Sequence, residues 1–290
     1  MQSKLISANK TLKVRGKIID LSIPKVMGIL NVTPDSFYDG GLYTRESDLL
    51  KQVEKMIYDG ADFIDIGGYS SRPGAEDILP DEEWARVKPA IQSVKKEFPS
   101  ALLSIDTFRS QIAHQAIVEG CDLINDISAG QLDSNMFQTV STLQVPYVIM
   151  HMRGTPQTMT QFTQYDQVVQ EIITYFHSIL YQLNQHGIKD VLVDPGFGFA
   201  KTVDQNFELL NQLEQLHVLG KPLLIGLSRK SMVWKTLGTT PEFALNGTTS
   251  LNAVALLKGA SILRVHDVKE AKETIQLLAK MKQSTQKPGI

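Results

Sequence analysis

Two short apolar runs in this chain end on groups able to hold or polarise a small molecule. Leu192-Val193 leads into Asp194-Pro195-Gly196-Phe197-Gly198-Phe199, and Leu223-Leu224-Ile225-Gly226-Leu227 leads into Ser228-Arg229-Lys230-Ser231. A short uninterrupted apolar run reads as a strand buried on both faces. A polar group just beyond it marks the strand's carboxyl end, which is where ligands sit in parallel α/β folds. A carboxylate, Asp194, and an ammonium, Lys230, are therefore expected to face one pocket from adjacent strands. The same punctuation recurs. Residues 26–30 end at Asn31, 63–66 carry Asp65, 102–105 end at Asp106, 123–124 at Asn125, 147–150 at His151, and 262–263 at Arg264 with His266 two residues on.

The residue types sort by chemistry. Asp106 and Asp194 at the base of an apolar pocket suit a ligand edge with paired N–H donors, such as a guanidine-like heterocycle. Asn125 donates and accepts, which suits a mixed heterocycle edge. Arg264 and His266, two apart on one strand, face the same side. With Arg72 on a loop they form an anion site, most naturally for phosphate; the competing reading is a surface ion pair with Asp267 or Glu270. There is no HExxH and no Cys/His cluster, so zinc is not expected. A single amide oxygen such as Asn31 suits Mg²⁺, which keeps several waters. His114, His177, His186 and His217 fall in helical stretches and read as surface or packing residues. One polar strand end alone is as readily a helix N-cap. A whole set of strands ending this way points to one functional mouth.

The elements that must position these groups alternate. Residues 46–59 show helical spacing, with Gly60 placed to stop the helix. Further helical stretches follow at 81–98, 109–119, 135–143, 165–185, 204–217, 245–257 and 268–281. Eight strands alternating with eight helices in a chain of 290 residues imply parallel strands with crossover helices, and hence a (β/α)8 TIM barrel over 26–282. A doubly wound open sheet is the alternative, but neither GxGxxG nor GxxxxGK[ST] is present. Residues 1–25 stand apart as a short N-terminal hairpin closed around Arg15-Gly16, and 283–290 read as a tail.

Composition narrows the function classes. The chain is 42% hydrophobic and carries a formal net charge of −2, with no basic cluster to attract nucleic acid or membrane. The lone Cys121 allows no internal disulfide and suits a reducing compartment. No signal-peptide h-region and no membrane-length apolar run stands out, so a cytoplasmic protein is expected.

Taken together the motifs resemble the dihydropteroate synthase family of pterin-binding enzymes. They are MGILNVTPDSFYDGG (27–41), DIGGYSSRPGA (65–75), SIDT (104–107), IND (124–126), DPGFGF (194–199), GLSRKS (226–231) and RVHD (264–267). They keep the family's order and span nearly the whole chain. The resemblance implies condensation of 6-hydroxymethyl-7,8-dihydropterin pyrophosphate with 4-aminobenzoate to give dihydropteroate and pyrophosphate. It implies small-molecule substrates, Mg²⁺ at Asn31 and a homodimer packed through helices away from the mouth. It assigns the pterin pocket to Asp106, Asn125, Asp194 and Lys230, lined also by Gly226. The pyrophosphate falls to Arg264 and His266 with Ser71 and Arg72. The aminobenzoate falls to Phe199, Pro73, Lys230 and Ser231. Lys230, Asp106, Arg264, His266, Asp35 and Arg72 form the implied catalytic set, with the loops holding Asp35 and Arg72 closing over the site. The implied reaction is dissociative, with a cationic pterin methylene attacked by a neutral aromatic amine. One departure stands out: Tyr69-Ser70-Ser71-Arg72-Pro73 occupies a place where the family often has Glu-Ser-Thr-Arg-Pro.

Other readings remain to be separated. A pterin barrel that passes a methyl group from methyltetrahydrofolate to a corrinoid would share the Asp/Asn pocket but has no pyrophosphate for RVHD to hold. A Schiff-base aldolase using Lys230 would be trapped by borohydride. A non-catalytic pterin-binding homologue would release no pyrophosphate.

Overall fold

The computed structural model of the chain describes residues 10–32, 42–71, 74 and 76–285, apart from the side chains of 42–45 and 285. It opens with an antiparallel hairpin of β1 (Thr11–Val14) and β2 (Lys17–Asp20), in which Thr11 faces Asp20. The turn residues Arg15 and Gly16 both take left-handed backbone, φ +49° and +73°. That is the two-residue turn whose twist matches a hairpin.

Strands and helices then alternate. They are β3 (Lys25–Asn31), α1 (Leu42–Tyr58), β4 (Phe63–Gly67), α2 (Pro80–Glu97), β5 (Leu103–Asp106), α3 (Ser110–Val118), β6 (Leu123–Asp126) and α4 (Met136–Leu143). After them come β7 (Tyr147–Met150), α5 (Val168–Gln185), β8 (Val191–Asp194), α6 (Val203–Asn211), β9 (Leu224–Ile225), α7 (Ser231–Thr236), α8 (Leu245–Leu257), β10 (Ile262–Val265) and α9 (Val268–Thr285). The eight strands β3–β10 pair in the order β8-β7-β6-β5-β4-β3-β10-β9. A parallel bridge between Val193 and Leu223 joins the two ends. The sheet is thus closed, a (β/α)8 barrel with a hairpin at its amino-terminal end, and the open-sheet alternative is excluded.

Successive side chains on a strand point to opposite faces, so each strand sends one set inward and one outward. The inward set begins with an apolar layer: Met27, Phe63, Leu123, Val148, Leu192, Leu224 and Ile262 pack together with Leu12, Val14 and Leu21 of the hairpin segment. The hairpin therefore stoppers the bottom of the barrel. The outward set, including Ile64, Ile66, Leu103, Ile105, Ile124, Val193 and Leu263, packs under the helices. Two residues further along the inward parity lie Asp65, Asn125, Asp194, Gly226 and Arg264. The polar mouth and the apolar floor are thus successive layers of one interior.

Several elements depart from expectation; α1 begins at Leu42 rather than 46 and α5 at Val168 rather than 165. The helix expected over 204–217 ends at Asn211 and continues as a 3₁₀ turn, Leu213–Leu219. Leu210, Leu213, Leu216 and Leu219 repeat every third residue, and three residues per turn is the spacing that keeps them on one face. The strand expected over 223–227 shortens to Leu224–Ile225, and the chain turns at Ser228-Arg229, where Arg229 takes φ +54° and the Lys230 N–H donates to the Leu227 carbonyl. The six-residue helix α7, inserted after Lys230, was not expected; it is too short for an apolar period to show. At the end, α9 runs to Thr285 rather than ceasing near 281.

The floor is sealed electrostatically as well. Asp122 accepts from Arg15 Nη2 at 2.9 Å, Lys95 Nζ at 3.1 Å and the Leu103 backbone N–H at 2.9 Å. Its side chain is only 4% exposed. Asp122→Ala would leave two cations and one N–H without their shared acceptor. A loss of about 3 kcal/mol is expected, read as a fall in the urea midpoint at constant slope.

Candidate active site

The mouth is organised around Arg264. From β10 its guanidinium reaches across β3, donating from Nε to Asp65 Oδ2 at 2.6 Å and from Nη2 to Asp106 Oδ2. Asn125 Nδ2 donates to the same Asp65 oxygen at 2.9 Å. Asp65 is fully buried, and its other oxygen, Oδ1, has no hydrogen-bond partner among the described residues. Burial works against the charge on Arg264, but Asp65 and Asp106 outweigh it and raise its pKa. For Asp106 burial is the larger effect. It pushes the carboxyl up to about 7, with Arg264 opposing and Asp65 adding to the rise. The surface ion pair considered for Arg264 is therefore not formed; Asp267 instead takes Arg229, at 2.7 and 3.0 Å.

Asn31 joins this group from β3, opposite Gly67 of β4. A Cβ placed on Gly67 would lie 3.6 Å from Asn31 Oδ1 and 3.7 Å from Asp106 Oδ2. The missing side chain thus leaves space beside two hard oxygen donors. No group of three or more His, Cys, Asp or Glu with metal-ligand geometry occurs among the described residues. A chain that offers one amide oxygen and a nearby carboxylate fits a hard cation completing its shell with water and substrate oxygens, and does not fit zinc.

Asp194 and Lys230 come together as expected, but not as an ion pair. Asp194 Oδ1 accepts the Gly196 N–H at 2.8 Å. Burial raises its pKa, opposed by Lys230 and that hydrogen bond. The Lys230 ammonium donates to the Phe197 carbonyl and lies 4.8 Å from the centre of the Phe199 ring. Burial lowers it to about 8, with Asp194 opposing and Arg264 adding to the fall. Its stem lies 3.1 Å from where a Gly198 Cβ would be, and its nitrogen 3.7 Å from that of Gly226. These two glycines leave the room Lys230 occupies.

On the anion side, Ser228 Oγ sits 3.2 Å from His266 Nδ1 and accepts the His266 backbone N–H at 3.2 Å. Ser231 opens α7 next to Lys230, and Ser71 is half-buried after β4. Asp35, Arg72 and Pro73 lie outside the described residues. His151 does not join the mouth. It is one residue past Met150 and so has the outward parity, with its ring packed edge-on against Tyr175 at 4.9 Å.

Sequence reasoning missed several supports. Ile127, Met150, Met152, Met159 and Ala200 form an apolar cluster, with Phe108 and Phe199 packed against it. The methionines looked like ordinary core, and nothing in their spacing set them beside the pocket. Glu83, in the first turn of α2, is fully buried and accepts from Thr107 Oγ1 and Arg109 Nη1, both at 2.6 Å. Burial raises its pKa against those bonds. Asp126 turns outward and is saturated by Tyr147, Ser128 and Gly130, a purely structural post. Burial likewise pushes the Cys121 thiol well up, which removes it as a nucleophile.

Comparison with known proteins gives a consistent picture. The family model described as pterin binding enzyme matches residues 27–266. The dihydropteroate synthase of Escherichia coli strain K12 is 39% identical over 266 residues, covering 91% of this chain and 94% of that protein. That of Synechocystis is 42% identical over 246 residues, covering 84% and 85%. Among solved structures, the Yersinia pestis dihydropteroate synthase in a sulfonamide complex superposes with a TM-score of 0.88 at 38% identity, covering 94% of this chain and 99% of that one. The Xanthomonas albilineans dihydropteroate synthase with 4-aminobenzoic acid gives 0.88 at 36% identity, covering 94% and 98%. The same enzyme with 7,8-dihydropteroate gives 0.84 at 34%, with the same coverage.

The loop that follows Asp194 depends on Lys201, another residue without a sequence signal. Lys201 is 8% exposed, and its ammonium lies 3.0 Å from His151 Nδ1, 2.9 Å from the Gly196 carbonyl and 3.0 Å from that of Phe199. Gly196 takes φ +72°, and a Cβ there would stand 2.0 Å from the His151 carbonyl, so only glycine fits. Burial holds the His151 pKa well below the usual imidazole value, and Lys201 lowers it further. His151 should therefore stay neutral where an ordinary histidine titrates, near about 6.5. An NMR titration should show its ring resonances flat across that range; a midpoint there would contradict the buried pair.

Proposed function

The chain belongs to the dihydropteroate synthase family of pterin-binding enzymes, and on that premise we propose how its mouth performs the family's reaction. It condenses 6-hydroxymethyl-7,8-dihydropterin pyrophosphate with 4-aminobenzoate, giving 7,8-dihydropteroate and pyrophosphate in folate biosynthesis. The observation that best supports the residue assignment is the single layer holding Asp194, Asn125, Gly226 and Arg264 above an apolar floor.

Asp194 accepts the paired N–H donors of the pterin's guanidine-like edge, and Asn125 complements the neighbouring ring positions. The Met150 and Ile127 wall receives the ring faces. Departure of pyrophosphate leaves positive character on the pterin methylene. Asp106 and its neighbours favour that charge, since the carboxylates Asp65, Asp106 and Asp194 outnumber the cations Arg264 and Lys230 among the described residues of the mouth. Arg264 uses Nε and Nη2 on carboxylates, which leaves its remaining N–H donors for the leaving anion. His266 and Arg72 share that charge. Mg²⁺ held at Asn31, near Asp106, would neutralise pyrophosphate oxygens. Ser71 lies with Arg72 on the pyrophosphate side, while Phe199, Ser231 and Pro73 hold the aminobenzoate, with Lys230 at the seam between the substrates. The amine attacks as a neutral nucleophile, and the ammonium it forms loses its proton to solvent.

We also assign the chain to the reducing cytoplasm, on the unpaired and buried Cys121. No helix among the described residues is long and apolar enough to cross a membrane. Phe243, Leu257, Leu277 and Met281 leave apolar surface on the last helical units, which supports a homodimer formed away from the mouth.

Pyrophosphate release that needs 4-aminobenzoate and Mg²⁺ tests the assignment; no release with authentic substrates would refute it. Asp194→Ala should lower kcat/KM for the pterin substrate about a hundredfold, the scale of losing a charged hydrogen-bond acceptor in a buried site. The pH dependence is specific. Activity needs ionised Asp106 and protonated Lys230, so kcat/KM should rise through about 7 and fall through about 8. Asp106→Asn should flatten the acid limb, and Lys230→Arg should carry the alkaline limb out of range.

A further inference from the structure

Ser228 has no part in the reaction as described, yet it is buried where two loops of the mouth meet. It follows β9 and is 6% exposed. Its hydroxyl oxygen accepts the His266 backbone N–H at 3.2 Å and lies 3.2 Å from Nδ1 of the same residue's ring. A hydroxyl has two lone pairs and one hydrogen. The backbone N–H takes one lone pair, and among the described residues Nδ1 is the acceptor that the hydrogen can reach. When the ring is neutral, Nδ1 therefore accepts and the ring proton sits on Nε2. When the ring is charged, the hydroxyl rotates and takes Nδ1–H on its second lone pair. Nε2 carries a proton in both states.

The turn that presents Ser228 is held independently. Arg229 takes left-handed backbone, φ +54°. A residue with a Cβ adopts that conformation where its surroundings impose it. Here the Arg229 N–H donates to Thr248 Oγ1 at 3.1 Å, and its guanidinium grips both oxygens of Asp267, at 2.7 and 3.0 Å. A two-point guanidinium–carboxylate pair fixes direction as well as distance. The loops are thus joined at consecutive residues on each side, Ser228 and Arg229 against His266 and Asp267. His266 faces the mouth by parity. Ile262 lies in the floor, Arg264 meets Asp65 and Asp106, and His266 comes two residues later, while Leu263 and Val265 pack under the helices. His266 is exposed there, so the buried hydroxyl gives its ring a fixed point.

We propose that Ser228 is a positioning residue for the pyrophosphate site: its buried hydroxyl holds the His266 ring by Nδ1 and so presents Nε2–H to the leaving anion. This rests on the reading that His266 takes pyrophosphate. Without the hydroxyl the ring must be ordered at the moment of binding, and that ordering is subtracted from affinity. The neutral ring would also share its proton between its two nitrogens. Asp194 and Asn125 hold the pterin from other strands, so a ligand without the anion does not sense the loss.

Product inhibition of the full chain, with Mg²⁺ present, tests this. Ser228→Ala should raise Ki for inorganic pyrophosphate about fivefold, the scale of one net hydrogen bond, and leave Ki for 7,8-dihydropteroate, which lacks that anion, within about twofold. His266→Ala should raise the pyrophosphate constant at least as much. Adding Ser228→Ala to it should raise it no further, because the hydroxyl acts through the ring. ¹⁵N NMR gives an independent readout, with the His266 ring signals assigned by their loss in His266→Ala. Above the ring's titration they should report one tautomer, protonated on Nε2, and in Ser228→Ala the two nitrogens should draw together as tautomers exchange. Unchanged pyrophosphate inhibition in Ser228→Ala, additive losses in the double variant, an equal loss for dihydropteroate, or a native ring protonated on Nδ1 would each overturn the positioning role. If His266→Ala itself leaves the pyrophosphate constant unchanged, the reading of His266 fails; if it raises that constant while Ser228→Ala does not, only the role of Ser228 fails.

Discussion

The mouth of this barrel depends on one buried guanidinium. Arg264 sits between Asp65 and Asp106, and Asn125 completes the group. Any of these charges alone in the interior would be costly, because desolvation of an unpaired ion exceeds what a neutral surrounding returns. Together they compensate one another and pin the carboxyl ends of β4, β5, β6 and β10 in a single arrangement across the barrel. The site is therefore preorganised before any ligand enters. The remaining imbalance is not an accident of packing. Asp106 is held near neutrality by burial and near ionisation by Arg264, so a cationic reaction centre beside it would tip it toward charge.

A second constraint comes from closure. Eight strands leave a narrow interior that side chains must fill, and each strand contributes alternate residues to it. The lower positions are apolar and capped by the hairpin, while the upper ones are polar. The chain needs no separate domain to make a pocket. It needs only a change from apolar to polar two residues along the same parity, and small residues where backbone must approach. Gly67, Gly198 and Gly226 supply that space beside Asn31, Asp106 and Lys230. The contact between β8 and β9 is thin, a single parallel bridge from Val193 to Leu223.

Much of this was legible in the residues themselves. Short apolar runs with polar ends marked every barrel strand, and the loose alternation around Arg15-Gly16 marked the hairpin, though not the left-handed backbone that Arg15 takes there. The inward direction of Asp194, Asn125 and Arg264 followed from period two. Less was legible where a contact joins distant segments. Lys201 beneath the loop after Asp194, Glu83 behind Thr107 and the methionine wall have no local pattern. His151 showed the limit of strand-end reasoning: one step of parity turned it away from the mouth and into a packed pair with Lys201.

By itself the sequence determined the alternation of strand and helix, the closure expected of that alternation, and the polar set at one end of the strands. These are consequences of local periodicity, which survives in a linear string. The tertiary structure alone decided how the charges pair. Asp194 and Lys230 share a pocket without sharing a bond, and Arg264 is committed to two carboxylates rather than to a neighbour in sequence. Pairing depends on which side chains meet across the barrel's interior at low dielectric, and that distance is set by closure and register rather than by spacing along the chain.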